Sequence, residues 1–357
     1  MPVKIFSIPK RLGGSDIFIG GSSKSFIRPF IPGASQRCPC REGRDNALRF
    51  RLALTIFVVL VLGAHSLFAD TVSLTPVADT SIAEVAPSNN AGARSWLDIG
   101  DNMHLQRNRA LIKFDIAGNI PAHARISSAT LWLTVTGIPA DGYAVGSFDL
   151  HRLLRTWGEG TNNPISSPGQ GTPATVGEAD WLSPLELTTN VWTAPGGAPV
   201  YDYAAAVTGS QIVYDTSAAY NPYAFPDPAS DQSLMLADVQ LWLDQPAANF
   251  GWILICEDET VASTARRLGS REDPTDAPLL DISYTPPITS ATRAGNLFQL
   301  GFPAQAGQGY AIEFANTLSG ANAWQTLTNI PPQLVDTNLV ITDTITGFAR
   351  FYRLRTE

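Results

Sequence analysis

The side chains most able to do chemistry are few and poorly grouped. Beyond residue 69 the histidines are His104, His123 and His151. None lies in a His-Glu-x-x-His pattern, and none is spaced from another as zinc ligands usually are. His151 falls in an alternating stretch, where a structural histidine held by hydrogen bonds is the expected role. Glu159, Glu178 and Asp180 share one long loop and could supply the pair of carboxyl groups that glycoside hydrolysis needs. Acidic residues are plentiful, however, and most must be solvated surface. No Gly-x-Ser-x-Gly elbow anchors a serine-hydrolase reading. Gly169-x-Gly171-x-x-Ala174 contains Pro173 and lacks a strand before it and a helix after it, so it reads as a loop and not a dinucleotide turn. Arg271-Glu272 reads as a structural ion pair at a strand end. No catalytic residue is assigned, and the chain is not expected to be an enzyme.

Aromatic side chains are the stronger signal. The stretch from Gly158 to Tyr223, with Trp157 at its head, is rich in Gly, Pro, Thr, Ala and Asn and poor in strand signals. It carries Trp181, Trp192, Tyr201, Tyr203, Tyr214 and Tyr220, too many aromatics for ordinary disorder. Loops this long in a folded domain are usually functional or disordered. Aromatic faces pack against the C–H faces of pyranose rings, and nearby Asn, Asp, Glu and Arg satisfy hydroxyls. Carbohydrate binding is therefore expected. For each ring taken singly, pinning the loop to its scaffold is the commoner role.

The elements that must position these residues read as strands. In Ala129-Thr-Leu-Trp-Leu-Thr-Val-Thr136, Ala129, Leu131, Leu133 and Val135 share one face and Thr130, Trp132, Thr134 and Thr136 the other. Residues 109–115, 147–154 and 279–284 are similar. Residues 250–256 are apolar on both faces and suit a strand covered on both sides. Leu236, Val239 and Leu243 follow helical spacing and predict one short helix. Many short strands, Gly/Pro-rich connections and no βαβ rhythm predict an all-β protein, a jelly-roll β-sandwich over residues 70–285. After Thr285-Pro286-Pro287, further strand-like segments predict a small immunoglobulin-like β-sandwich over residues 286–357.

Arg49 and Arg51 precede the apolar run Leu52–Leu62, and small residues follow, the layout of a secretory signal. The run is shorter than the roughly 20 residues of a spanning helix, so cleavage near Ser66 or Ala69 is expected in place of a membrane anchor. Residues 1–69 form an N-terminal extension and signal segment, and the location expected is secreted or cell-surface. They hold 10 of the 24 Lys and Arg but only 3 of the 32 Asp and Glu, which leaves the remainder at about −15. That charge argues against nucleic acid and anionic membrane as partners. Cys38-Pro39-Cys40 has no further ligands nearby. Cys256, the one cysteine after residue 69, is expected to be a buried structural thiol.

Several strings then occur together in order: Pro76-Val-Ala-Asp79-Thr80-Ser-Ile82, Asn90-Ala-Gly92, Trp96-Leu-Asp-Ile-Gly100, Arg109-Ala-Leu-Ile-Lys-Phe-Asp115, Ile126-Ser-Ser-Ala-Thr-Leu-Trp-Leu133, Trp157-Gly-Glu159-Gly-Thr, Asn249-Phe-Gly-Trp252, Ser270-Arg271-Glu272 and Pro278-Leu-Leu-Asp-Ile282. Over residues 71–285 they resemble the DNRLRE domain, which is related to disaggregatase-associated repeats and to family 96 carbohydrate-binding modules. The resemblance implies a jelly-roll sandwich in exported bacterial proteins, often beside polysaccharide-degrading enzymes, with acidic polysaccharide bound by some members. This chain departs from that last property, because basic side chains are scarce. Arg94 is the basic residue best placed for a sugar acid. The C-terminal strings Gly307-Gln-Gly-Tyr310-Ala-Ile-Glu313, Trp324 and Arg350-Phe-Tyr-Arg-Leu354 resemble small β modules that end many exported bacterial proteins, and imply architecture only.

Together these readings give a non-catalytic polysaccharide-binding protein with Arg94, Trp96, Trp157, Trp181 and Tyr201 as candidate contacts. Alanine at Trp157 or Trp181 is expected to weaken binding without unfolding the domain. The alternatives are a structural or adhesive surface protein and, further off, a polysaccharide-degrading enzyme. No cofactor is required; a structural calcium ion is the one candidate, with Asp79, Asp98 and Asp101 as carboxylates able to hold it.

Overall fold

A computed structural model describes residues 70–138, 144–163, 171–214, 221–318, 324–346 and 349–357. The segment read from the sequence as a secretory signal, and the extension before it, lie outside the described residues. The fold is all-β, as the sequence predicts. The strands of its larger part are β1 (Asp70–Leu74), β2 (Ala78–Ala83), β3 (Asn89–Asn90), β4 (Trp96–Asp101), β5 (Arg107–Lys113), β6 (Arg125–Gly137), β7 (Gly146–Arg152), β8 (Thr172–Pro173), β9 (Gly209–Val213), β10 (Asn221–Phe225), β11 (Trp252–Cys256), β12 (Arg266–Gly269) and β13 (Leu279–Thr285). One helix, α1 (Ser233–Asp244), precedes β11.

Eleven of these strands form one curled antiparallel sheet, in the order β1-β13-β6-β12-β4-β5-β11-β7-β9, with β10 on β6 and β2 on β5. Strand β4 makes the corner. Residues Trp96–Ile99 pair with β12, whereas Gly100 and Asp101 pair with β5. The two halves of the sheet thereby face one another across a shared core. Period-2 alternation decides which residues enter it. Leu97 and Ile99 of β4, Ala110 and Ile112 of β5, Leu131, Leu133 and Val135 of β6, Phe148 and Leu150 of β7, and Leu280 and Ile282 of β13 all point inward. Trp132 stays on the outer face, where its Nε1 donates to Asp281 at 2.9 Å.

Helix α1 closes the core with Met235, Val239, Trp242 and Leu243. Trp242 meets Trp252 of β11 at 4.5 Å between ring centroids, and Phe114 meets the same ring at 6.2 Å, edge-on. The turn before β11 requires glycine. Gly251 has φ +78, and a Cβ there would lie 2.1 Å from the carbonyl oxygen of Ile112. Gly251→Ala is expected to destabilise the fold by about 1–3 kcal/mol through combined backbone strain and clash. Urea unfolding measures this, and a midpoint equal to wild type would refute the close approach.

The C-terminal strands are β14 (Ser290–Ala294), β15 (Leu297–Ala304), β16 (Tyr310–Ala315), β17 (Gln325–Ile330), β18 (Thr337–Thr344) and β19 (Phe351–Thr356). They make two three-stranded antiparallel sheets, β14-β15-β18 and β17-β16-β19. Leu300, Phe302, Tyr310, Ile312 and Ile330 form their own core, with Phe298 stacked on Tyr352 at 4.5 Å. The side chains of Gln305 and Tyr284 hydrogen-bond to each other across the junction with β13.

Candidate functional site

Residues 153–163 and 171–208, which hold no strand but the two-residue β8, cover the outer face of β5, β11 and β7 as a strap. It creates a second apolar layer. Leu111 of β5 and Ile253 and Ile255 of β11 pack against Leu153, Ala179, Trp181, Trp192 and Tyr203 of the strap, with Ile82 from β2. Strand β11 is thus covered on both sides: Trp252, Leu254 and Cys256 enter the main core, and Ile253 and Ile255 enter this one. Cys256 is free and buried, the inert position expected of it.

Polar contacts fix the strap as firmly as its rings. Asp202, fully buried, accepts from Arg155 at 2.7 Å and from the backbone N–H groups of Thr193 and Ala198 at 2.8 and 2.7 Å. Arg109 reaches out from β5, donating from Nη1 to the carbonyls of Gly196 and Gly197 at 2.8 and 3.2 Å. Its Nε and Nη2 grip Glu259 in a fork at 2.8 and 2.7 Å, a geometry suited to the planar guanidinium.

The five candidate contacts named from the sequence do not form one surface. Trp181 is 2% exposed, with the guanidinium carbons of Arg107 and Arg109 at 5.1 and 5.3 Å from its ring centroid. It pins the strap, and alanine there is no longer expected to leave the domain intact. Trp157 is half-buried on the same layer and donates to the carbonyl of Phe250 at 2.8 Å. Arg94 is 1% exposed and paired with Asp98 at 2.7 Å. Trp96, half-buried, has the guanidinium groups of Arg94 and Arg267 at 4.7 and 4.9 Å from its ring centroid, so cations already occupy its π faces. Tyr201 is 70% exposed, the one member of the set with an open ring.

The loop carboxylates are likewise committed to structure. Glu178 accepts from the N–H of Thr161, the N–H of Thr175 and the side chain of Asn162 at 3.0, 2.7 and 2.8 Å. Asp180 accepts from Leu182 and Ser183 N–H groups at 2.8 and 2.6 Å, and burial pushes its pKa up to about 6. Glu159 accepts from the N–H of Asp79 at 2.9 Å and from Arg271. Its own main chain packs so closely on the Asn90-Ala-Gly92 turn that a Cβ on Gly92 would lie 1.9 Å from the Glu159 carbonyl oxygen.

The three carboxylates considered for calcium do not fit a shared ion. Asp79 accepts from the N–H of Arg271 at 2.8 Å, Asp98 is paired with Arg94 and Arg267, and Asp101 lies opposite Arg107 in the β4–β5 register. Among the described residues no group of three His, Cys, Asp or Glu side chains converges to hold a metal.

A concave feature lies elsewhere, where the strap leaves part of the β7–β11 face open. It is a hollow of about 250 Å³ lined by Arg109, Asp149, His151, Pro199, Tyr203, Ile255, Cys256, Glu257 and Glu259. Alternation explains its floor. Phe148 and Leu150 of β7 turn into the core, so Asp149 and His151 turn outward; β11 brings Ile255 directly opposite Asp149. His151 sits against Tyr203 with ring centroids 5.1 Å apart and planes at 52°. Its Nδ1 lies 2.9 Å from the carbonyl oxygen of Ala204. A carbonyl only accepts, so Nδ1 carries a proton and donates it to this bond. Asp149 accepts from the Ser210 hydroxyl at 2.5 Å, and burial, then the charge of Glu257, holds its pKa above the usual carboxylate range. Aromatic faces, a guanidinium and three carboxylates thus converge on one small concavity. Sequence reasoning placed Asp149, His151 and Arg109 on strands but passed over them as site residues. The signal available was the shared outward parity of Asp149 and His151.

No protein-family model matches the chain, and no curated protein matches it. Among solved structures, the glycoside hydrolase domain of Endo-D from Streptococcus pneumoniae R6 aligns over 80% of this chain and 36% of that one, at 9% identity and a TM-score of 0.13. This chain spans about a third of that chain's length. A likeness so distant carries no argument about chemistry.

Proposed function

We propose that this chain is an exported, non-catalytic polysaccharide-binding protein, and that the hollow between the strap and β7–β11 receives a sugar unit. The observation that carries the reading is the convergence in one concavity of the His151–Tyr203 ring pair with Arg109, Asp149, Glu257 and Glu259. Sugar rings need an apolar face to pack on and polar groups around its edge, and this lining supplies both. The resemblance of residues 71–285 to the DNRLRE domain supports the same class, and the basic-then-apolar order of residues 49–62 supports export. Cleavage within residues 66–69 would release an acidic protein with no affinity for nucleic acid or anionic membrane.

The test is affinity electrophoresis of purified residues 70–357 through gels containing a broad panel of polysaccharides. Retardation by one class, weakened about tenfold or more in His151→Ala, is the expected result. That variant removes a wall of the hollow while leaving the β7 backbone pairing in place. Free migration in every gel would sink the reading, and retardation unaffected by His151→Ala would move the site away from the hollow.

A further inference from the structure

We infer that the hollow selects a sugar unit carrying a protonated amine over its neutral and uronic counterparts. This rests on the glycan-binding reading and names the chemistry of the ligand at that same site.

The charged groups facing the hollow are unequally answered by their neighbours. Arg109 is the one arginine of its lining, and it is fully engaged: two of its nitrogens hold Glu259 and the third donates to the carbonyls of Gly196 and Gly197. Glu259 is therefore neutralised, with Arg107 also 3.5 Å away. Asp149 and Glu257 are not. Among the described residues neither forms an ion pair, and the Ser210 hydroxyl on Asp149 satisfies an oxygen without cancelling its charge. Asp149 is moreover 8% exposed, so solvent screens it weakly. His151, on the same strand, has Nδ1 committed to the strap backbone.

A neutral sugar leaves the two acidic charges unanswered, and a uronate adds another of the same sign. An ammonium group answers them, with hydrogen bonds to charged acceptors that are stronger than neutral ones. The aromatic pair meanwhile serves the ring that carries the amine. A hollow of about 250 Å³ is below the range that takes drug-sized ligands, so it holds a single unit or a chain end.

Isothermal titration at pH 6 and low salt compares tetramers of glucosamine, of N-acetylglucosamine and of glucose. The glucosamine tetramer is expected to bind at least about tenfold more tightly than the other two, equivalent to about 1.4 kcal/mol. The preference should shrink toward unity in Glu257→Gln and at high salt, with circular dichroism verifying that the variant is folded. Equal affinity for all three tetramers, or a preference untouched by Glu257→Gln, overturns the amine assignment and leaves the glycan-binding reading standing. No binding of any tetramer, with retardation by some other polysaccharide in the gel panel, overturns the amine assignment alone. Failure across the whole panel overturns both.

Discussion

Replacing Trp181 with alanine is expected to lower the stability of the β-sandwich by about 3–5 kcal/mol, the cost of deleting a large buried aromatic side chain whose site cannot collapse. The site is held open by its neighbours. Arg107 and Arg109 are fixed by ion pairs to Glu84 and Glu259, and Gly196 lies close enough that a Cβ there would come within 2.6 Å of the Trp181 ring. The ring also contributes two cation–π contacts at 5.1 and 5.3 Å, each worth up to about 1 kcal/mol or more when water is excluded. Trp181→Phe retains most of the apolar contact and should recover over half of the loss. Because the strap rather than the main core loses its anchor, limited proteolysis should cut residues 182–200 in Trp181→Ala before the strands are attacked. Urea unfolding checks the magnitude. A loss below about 1 kcal/mol, with the strap still protected, would mean that its polar clasp through Asp202 and Arg109 suffices without the ring.

That expectation reverses the one drawn from the sequence, and the reason is physical. A tryptophan in a long loop has the same local signature whether it faces a ligand or a sheet. What decides is a partner far away in the chain, here Arg107 and Arg109 on β5 and Ile253 on β11. Strand parity, by contrast, is a local property. The alternation of residues 129–136 correctly places Leu131, Leu133 and Val135 inward and Trp132 outward. The double-faced apolar run at 250–256 announces a strand with a layer on each side, and the strand forms over Trp252–Cys256, although the identity of the second layer could not be read. Helix α1 follows from Leu236, Val239 and Leu243, while Met235 and Trp242 complete its buried face. The hollow was illegible because it needs the pairing of β7 with β11 and the closure of the strap over both. Nothing in the neighbourhood of His151 in the sequence indicates that Glu257 will stand just past the end of the adjacent strand.

Stability is expected to fall as pH rises from about 6 to 8, and Asp79→Asn is expected to remove most of that slope. Asp79 is buried beneath the Ser270-Arg271-Glu272 corner, accepting from the N–H of Arg271 at 2.8 Å. Burial pushes its pKa up to about 8; the N–H and charge of Arg271 oppose this, and the neighbouring charges of Glu272 and Glu159 reinforce it. In the unfolded chain an aspartate titrates near 4. The folded state therefore holds a proton that the unfolded state has released, and the stability this confers is fully present below about pH 4 and is lost as pH climbs through 8. One such proton is worth about 1.4 kcal/mol per pH unit while fully bound, and about 2.3 kcal/mol between pH 6 and 8 because it is half released at the upper end. Asp101 and Asp180, each pushed up to about 6, act in the same direction but lower in the range. The window above pH 6 therefore isolates Asp79 from those two. Asparagine keeps an acceptor for the Arg271 N–H and cannot ionise, so the variant mimics the protonated side chain at every pH. Thermal melts should show Asp79→Asn already more stable than wild type at pH 6 and ahead by a wider margin at pH 8. Parallel melting curves for the two proteins across that range would show that Asp79 is already ionised in the fold and that the corner tolerates its charge.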